Sequence, residues 1–555
     1  MATTSVAALM AAHRRLNVDT DFIPRMTVAE RQRMIDVAGT SDCGLTDKMT
    51  FCSKLKKNAY LCEPLGEPKT DPVNGRDLAA SVFSDTQPSA TEDNRDKFCA
   101  WQMMNISKNA DKLYLSAEAA RAQLAAWGAH TAVATLVPHP TRDNAVTTME
   151  LHCKQMAVNR MWRHATVLCS NPVDGVLEGL DDTQRAGVHK ILGTPASLLV
   201  GVGGAGKSYS VSKIVAGAMA SDVEVVCLAP THKAKYNIAS AVPQDITVTT
   251  IQSYTQTLKR GEPIESLFVI IDESSMLDID SLGDFAMALI EKVARWQICL
   301  VGDEAQLDPV GRGECFRLAV KQAKDVVVRL TKCYRASFVK MFDFHCAVRT
   351  GTLPAGDGEV AVVRVFKNDF DVMADLEKVV EAEGESMTYI AWRNHDVETI
   401  NKLVQAKVTG EPKPGFAFNV GDAVIYVGEN KPRHNLTNAM CGRVGHVTRY
   451  TCDVEWDDSC PEGAVATVQT RDLRLAYCLT VHKAQGSGFK RVCVVCTSSG
   501  SMLRALDRRW LYTAVSRAQA HVLVICTNAA QVLAAKEPNA APLSSLNFRR
   551  KLAEA

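Results

Sequence analysis

One short window of the chain holds the residue types that grip a polyphosphate. In "LLVGVGGAGKSYSVSKIVAG", Gly201, Gly206, Lys207 and Ser208 satisfy the spacing G-x-x-x-x-G-K-[ST], with Val202, Gly203, Gly204 and Ala205 between them. Glycines let the backbone wrap closely around a phosphate and turn its N–H groups, and the following helix N-terminus, toward the negative charge. Lys207 then reaches the β and γ phosphates, and Ser208 ligates Mg2+. The apolar run before the loop and the helical pattern after it supply both contexts that this spacing requires. A second run, "LFVIIDESSM", ends in Asp272 and Glu273. Downstream of a phosphate loop, the first carboxylate is a candidate to hold Mg2+ and the second to orient and activate an attacking water.

These groups need a scaffold, and the apolar periodicity describes one. From about residue 176, short runs such as "ASLLVGV", "VEVVCLAP", "SLFVIIDE" and "WQICLVGD" alternate with amphipathic stretches; "SMTYIAW", "RVCVVCT" and "HVLVICT" repeat the pattern later. That is a parallel α/β arrangement met twice. Between the later runs, a stretch rich in Val, Thr, Tyr and Gly with closely spaced turn residues reads as a small β-barrel. Residues 1–172 differ, with polar, turn-rich segments separating helix-like ones. One predicted helix is capped by Ser116 and runs to Gly128, and another spans Met149 to Trp162.

With 555 residues, of which 46% are hydrophobic and 23% charged, the chain has material for several buried cores, and about three to five domains are expected. The balance of 63 basic and 62 acidic residues leaves a net charge of +1, so any polyanion site must be a local groove. No window approaches the ~18 apolar residues of a membrane span. The 18 cysteines are scattered, many in strand-like runs, which indicates a reducing compartment, cytoplasmic or nuclear. The acidic-poor start with Arg14 and Arg15 leaves organellar targeting as the alternative. Cys43, Cys52, Cys62 and Cys99 lack the paired knuckle spacing of structural zinc, and the C-x-x-C of Cys493 and Cys496 lies in an apolar run that reads as core strand.

Taken together, these motifs resemble a superfamily 1 helicase of the RecD and Dda type, over about residues 180–527. "LDDTQRAGV" is similar to the adenine-reading segment and would place Gln184 at the base edge. "LAPTHKAKYNI" (Thr231, His232, Lys233) and "VTTIQSY" (Thr250) resemble elements that contact the nucleic-acid backbone. "VGDEAQLDPVG" resembles the coupling motif, with Gln306 near the γ-phosphate. "LTKCYR" and "LYTAVSRA" would supply Arg335 and Arg517 as two arginine fingers. "LTVHKAQGSGF" is the most family-specific string: Thr480, His482 and Lys483 would contact single-stranded DNA, and Gly486 the nucleotide.

The resemblance implies an α/β fold with two RecA-like P-loop NTPase domains, a small β-barrel insertion and an N-terminal α-rich accessory domain. The expected division is 1–172 accessory domain, 173–325 first ATPase domain, 326–411 and 473–535 second domain, 412–472 barrel and 536–555 tail. It implies an ATP-dependent, Mg2+-using DNA helicase moving 5′ to 3′ on single-stranded DNA in replication, recombination or repair. Its partners would be single-stranded DNA and duplex junctions, with a protein partner for the N-terminal domain. Two alternatives stay open: a viral-type superfamily 1 RNA helicase, and a nucleic-acid-stimulated ATPase scaffold without strand separation.

Three departures bear on that expectation. Gln252 stands where relatives carry histidine, keeping hydrogen bonding but losing charge. Residues 254–266, where relatives place a strand-splitting hairpin, are short, with Lys259 to Pro263 as either a small pin or a surface turn. Phe416, Phe418, Tyr426, Arg443 and Trp456 of the inserted stretch are candidates to stack on bases or to form its core.

Overall fold

The run Ala196–Gly201 is buried at every position, as a strand in the middle of a parallel sheet covered on both faces must be. The computed structural model describes residues 115–116, 136–138, 145–169, 174–333, 339–428, 436, 438–457, 465–497, 506–536, 544 and 546–548. The first three strands, β1 (Leu115–Ser116), β2 (Leu136–Pro138) and β3 (Ala145–Thr148), form a small antiparallel sheet in the order β1-β3-β2. Ser116 is therefore in a strand, and the helix predicted to follow it lies outside the described residues. Helix α1 (Met149–Arg163) matches the second predicted helix.

The first large sheet is built from β4 (Ala196–Gly201), β5 (Val225–Ala229), β6 (Thr247–Thr250), β7 (Ile264–Ile271), β8 (Val293–Gly302) and β9 (Val327–Leu330). Its order is β6-β5-β7-β8-β4-β9, and every pairing is parallel. Helices α2 (Asp182–Leu192), α3 (Lys207–Met219), α4 (His232–Ala239), α5 (Ile251–Arg260), α6 (Ile279–Lys292) and α7 (Cys315–Gln322) connect or flank these strands. The caps explain several starts. Asp181 forms a capping box with Gln184 at α2, and Asp278 accepts from the Ser281 N–H at 2.7 Å to begin α6.

A second parallel sheet, in the order β10-β19-β18-β11-β17, repeats the theme. Its strands are β10 (Ala361–Phe366), β11 (Thr388–Ala391), β17 (Cys478–Thr480), β18 (Phe489–Cys496) and β19 (Ala518–Thr527). The helices of this half are α8 (Val339–Thr350), α9 (Asp369–Glu383), α10 (Asn394–Val408), α11 (Val481–Ala484), α12 (Arg508–Val515) and α13 (Ala529–Ala535). Cys493 and Cys496 are fully buried in β18, and burial pushes both thiols up, in line with core-strand cysteines.

Between β11 and β17 the chain makes an antiparallel meander in the order β15-β14-β13-β12-β16: β12 (Ala423–Tyr426), β13 (Cys441–Val447), β14 (Thr451–Trp456), β15 (Val465–Gln469) and β16 (Leu473–Leu475). Its outer strands β15 and β16 do not pair among the described residues, so the ladders form an open sheet rather than the expected barrel. Phe418, Tyr426 and Trp456 are buried in its core, with the Tyr426 and Trp456 rings edge-on at 6.1 Å. These three are core residues and not exposed stacking platforms. Arg443 instead donates to Glu385 at 2.8 Å and to the Gly421 carbonyl at 3.1 Å.

Of the two readings of residues 254–266 the surface turn is found, and the bounds of the first half are wider than expected. Residues 254–260 complete α5, and β7 starts at Ile264, so Gly261 to Pro263 is a tight turn and no hairpin pin forms there. The apolar face of α5 explains this, because Ile251, Tyr254, Thr255 and Leu258 bury at helical spacing. The packed first half also extends beyond 173–325. Leu151, Val158, Met161, Trp162 and Ala165 share one core cluster with β7, β8, α6 and the distant Leu546 and Phe548. Trp162 meets Phe548 edge-on at 5.3 Å, and the Trp296 indole N–H donates to the Met161 carbonyl at 2.8 Å. On the same face, nearly buried Lys154 pairs with Asp280 at 2.8 Å. Helix α1 and residues 546–548 thus belong to this core, rather than to an accessory domain and a tail.

Candidate functional site

Strand β4 delivers the chain into the glycine loop, and the backbone there takes conformations that suit only glycine. Gly204 and Gly206 lie at φ +84° and +80°, in the left-handed region, and Gly206 is the N-cap of α3. Gly201 is constrained differently: a Cβ there would come within 3.2 Å of Ala205 and Leu330. Val202 and Ala205 are buried beneath the loop, Gly203 faces the backbone of Ser516, and Ser208 is exposed at the start of α3. The Lys207 ammonium donates to the carbonyls of Gly201 at 2.7 Å and Val202 at 3.3 Å, so it lies across the cradle.

The loop opens into a cleft of about 620 Å3 lined by residues of both halves. Gln184, Lys207, Ser208, Asp272, Glu273 and Gln306 come from the first, and Gly486, Ser516 and Arg517 from the second. Asp272 follows β7 and is almost fully buried. Burial, then the neighbouring Glu273 carboxylate, pushes its pKa up to about 6, against the pull of the Glu273 N–H and Lys207. That N–H donates to Asp272 Oδ1 at 2.8 Å. Glu273 sits at φ +49°, a strained conformation for a non-glycine residue, and its Oε2 is buried without a hydrogen-bond partner. Gln306 Oε1 is likewise buried and unpaired. Two unsatisfied acceptors facing a phosphate cradle are costly unless a ligand or water completes them. This donor set fits a magnesium-bound polyphosphate and its attacking water.

Across the cleft, Arg517 is nearly buried and its guanidinium is held by the carbonyls of Thr513 at 3.1 Å and Ser487 at 3.2 Å and by Ser516 Oγ at 3.0 Å. Gly486 has φ +72°, and its carbonyl accepts from Asn237 of α4 at 2.7 Å, tying the two halves together at the cleft wall. Arg335 lies outside the described residues. Gln184 is buried at the rim, where its side-chain carbonyl accepts from the Asp181 N–H at 3.4 Å. Tyr209, Asn237, Ser487 and Gln519 also line the cleft and carry no spacing signal; only their neighbours in the fold reveal them.

The candidate nucleic-acid residues divide into two groups. Thr231, Gln252, His482 and Gln485 line a groove of about 170 Å3 together with Pro309 and Val310, which brings both halves to one surface. Thr250 does not reach it: it is buried, caps α5, and donates its hydroxyl to Ser253 Oγ at 2.9 Å. Thr231 and Thr480 also cap helices, accepting from Ala234 N–H at 3.2 Å and Lys483 N–H at 3.4 Å. His232 is half-buried; burial and then Lys235 lower its pKa, so it offers hydrogen bonding rather than charge. Lys233 and Lys483 are exposed and come from opposite halves. Both pull against the burial and the Asp457 charge that push the Cys441 thiol up to about 11, so they converge beside β13. Positive charge from both halves is thus brought close to β13, although the chain as a whole carries a net charge of only +1.

No described helix is long and apolar enough to cross a membrane. Among the described residues no cluster of metal-ligating side chains occurs, and Cys43, Cys52, Cys62 and Cys99 fall outside them.

Comparison with known proteins gives two family matches: an AAA domain over residues 179–363 and a UvrD-like helicase C-terminal domain over residues 475–525. The ATP-dependent RecD2 DNA helicase of Deinococcus radiodurans is 26% identical over 387 residues, covering 64% of this chain and 52% of that one. The RecBCD enzyme subunit RecD of Mycolicibacterium smegmatis is 26% identical and covers 66% and 74%. A crystal structure of Pif1 helicase from Bacteroides with ADP-AlF3 and single-stranded DNA aligns with a TM-score of 0.43 and 18% identity, over 64% of this chain and 94% of that one. The chain spans about half the length of the RecD2 relative. Over residues 179–525, the chain is similar to superfamily 1 helicases of the RecD type.

Proposed function

We propose that this chain is an ATP-dependent DNA helicase that moves 5′ to 3′ on single-stranded DNA and separates duplex at junctions. One observation carries the proposal: a single cleft is lined by the phosphate loop and Asp272–Glu273 pair of one half and by Gly486 and Arg517 of the other. Hydrolysis at such a cleft depends on how closely the two halves approach, which turns phosphoryl transfer into relative motion.

In this reading, an entering polyphosphate takes over the Lys207 ammonium from the Gly201 and Val202 carbonyls. Backbone N–H groups of 203–207 and the N-terminus of α3 receive the β-phosphate. Ser208 and Asp272 would hold Mg2+, which when bound supplies charge neutralisation between the β and γ phosphates. Glu273 orients the attacking water and accepts its proton, and Gln306 hydrogen-bonds at the γ-phosphate. Arg517, and Arg335 as its proposed companion, meet the charge that develops as the bond to the leaving oxygen breaks. Gln184 reads the adenine edge. The groove with Thr231, His482, Lys233 and Lys483 grips phosphates without reading base sequence, as a stepping motor requires. Thirteen cysteines outside any disulfide among the described residues fit a reducing compartment, cytoplasmic or nuclear.

The absence of a pin at 254–266 favours one second reading, an ATPase stimulated by single strands that lacks its own wedge. Strand displacement on matched duplexes with a 5′ or a 3′ single-stranded DNA tail tests both. Displacement from the 5′ tail alone supports the helicase. DNA-stimulated hydrolysis with no displacement from either tail supports the second reading, and stimulation by RNA in place of DNA overturns the choice of substrate.

A further inference from the structure

Two buried contacts cross between the halves immediately beside the cleft, at residues the cleft chemistry does not use. Asp303 directly follows β8, is fully buried and belongs to the first half. Its Oδ2 accepts from the Tyr512 hydroxyl of α12 at 2.5 Å, and its Oδ1 accepts from the Arg349 guanidinium of α8 at 3.2 Å. The same Oδ1 accepts from the Ala305 N–H at 3.1 Å, and the Asp303 carbonyl from the Gln306 N–H at 3.2 Å. The turn that presents Gln306 to the cleft is therefore built around the carboxylate that Tyr512 holds. One residue further on, the Leu307 N–H donates to Thr513 Oγ1 at 2.8 Å. Thr513 is fully buried, and its carbonyl accepts the Arg517 Nε at 3.1 Å, linking the last turn of α12 to Arg517 just beyond the helix end. An unbroken set of bonds thus runs Gln306–Asp303–Tyr512 and Leu307–Thr513–Arg517.

We propose that Tyr512 and Thr513 are positioning residues that hold Gln306 and Arg517 in register across the cleft, so that hydrolysis proceeds only when the two halves are correctly placed. The inference rests on the roles given above to Gln306 and Arg517. A purely structural role would tie the halves together equally well if either contact ran to any other point. Here both run from the segment 303–307 that carries Gln306 to the helix α12 that leads directly into Arg517. Buried side-chain bonds of this kind have steep geometry, so a small shift between the halves is felt directly at both functional side chains.

Tyr512→Phe removes one hydroxyl and leaves the ring in place; Thr513→Val and Thr513→Ser remove and retain the second. The full chain would be assayed for ATP hydrolysis with saturating single-stranded DNA, in steady state and in single turnover, and for thermal midpoint. We expect Tyr512→Phe and Thr513→Val each to lower kcat about tenfold or more with KM for ATP within about twofold, and Thr513→Ser to restore it. In an Arg517→Ala background, Tyr512→Phe should add no further loss in single turnover, because the two act through one link. A fall in thermal midpoint with kcat unchanged overturns the inference, as does a loss that multiplies with Arg517→Ala. If Arg517→Ala is itself without effect, the assignment of the cleft fails instead, an outcome that the Tyr512 and Thr513 variants alone cannot produce.

Discussion

Lowering the pH should weaken nucleotide binding through one identified side chain. Asp272 is almost fully buried, and desolvation followed by the Glu273 charge pushes its pKa up to about 6. Its ionised form is the candidate Mg2+ ligand, so affinity for the magnesium nucleotide should follow the ionised fraction. With a pKa of about 6 in the free protein, that fraction is roughly 90% at pH 7 and 10% at pH 5, a loss of about tenfold in affinity. The terminal phosphate of the nucleotide titrates in the same window, so the assay must isolate the side chain. Binding of a fluorescent ADP with Mg2+ would be measured from pH 5 to 8 for the wild type and for Asp272→Asn, and the ratio of the two affinities taken at each pH. The ratio should fall about tenfold between pH 7 and 5. A ratio that stays constant would mean that Asp272 does not titrate there or does not contribute to the bound state, and would refute the reasoning. The stability sign is opposite. Because the folded value is raised, protonated Asp272 contributes stability that is fully present below pH about 4 and is lost as pH rises through about 6. Nucleotide-free wild type should therefore lose stability relative to Asp272→Asn as pH rises through that range.

Glu273→Gln should retain nucleotide binding and lose turnover by at least about a hundredfold, because the amide cannot accept the proton of the attacking water; normal turnover would remove Glu273 from the mechanism. Phe548→Ala should cost about 3–5 kcal/mol in urea unfolding, since the ring is fully buried against Trp162, while Kd for nucleotide stays within a few-fold; a cost below about 1 kcal/mol would place residues 546–548 outside the core. Affinity for single-stranded DNA should fall log-linearly with salt at a slope of about −0.7 per phosphate neutralised, and Lys233→Ala with Lys483→Ala should flatten it by one or two such increments. An unchanged slope in the double variant would mean that these two lysines do not face the strand.

The local features were legible in the residues. Gly204 and Gly206 take left-handed φ values inside a strand–loop–helix unit that periodicity and the G-x-x-x-x-G-K-[ST] spacing describe, because phosphate loops depend on contacts within about ten residues. Asp272 and Glu273 follow a strand whose last five residues are apolar, and Cys493 and Cys496 lie in core, both read from neighbouring residue types. Where long-range packing decides, the residues left two readings open. Lys259 to Pro263 could be a pin or a turn, but the helical spacing of Ile251, Tyr254, Thr255 and Leu258 buries a face of α5 against α6 and leaves only the turn. Phe418, Tyr426 and Trp456 could as well have faced bases, and only the pleat of the meander turns them inward. Thr250 shares its residue type and helix-capping role with Thr231 but is buried at the start of α5.

Chemistry that needs one segment could be read from that segment: the phosphate cradle, the acidic pair and the two parallel α/β halves were all determined by the sequence itself. The cleft was not, because Arg517 and Gln306 are 211 positions apart in the chain and nothing local to either marks the other. What brings them together is a core cluster that runs from Cys169 to Ala534 across both sheets, and the buried bonds from Asp303 and Leu307 to α12. Such contacts arise from the docking of two finished surfaces, and their partners are chosen by shape and burial rather than by spacing. The same holds for α1 and Phe548, which join one core from near opposite ends of the described chain. Tertiary structure therefore decided which residues share a site, while the sequence had already decided what each could do there.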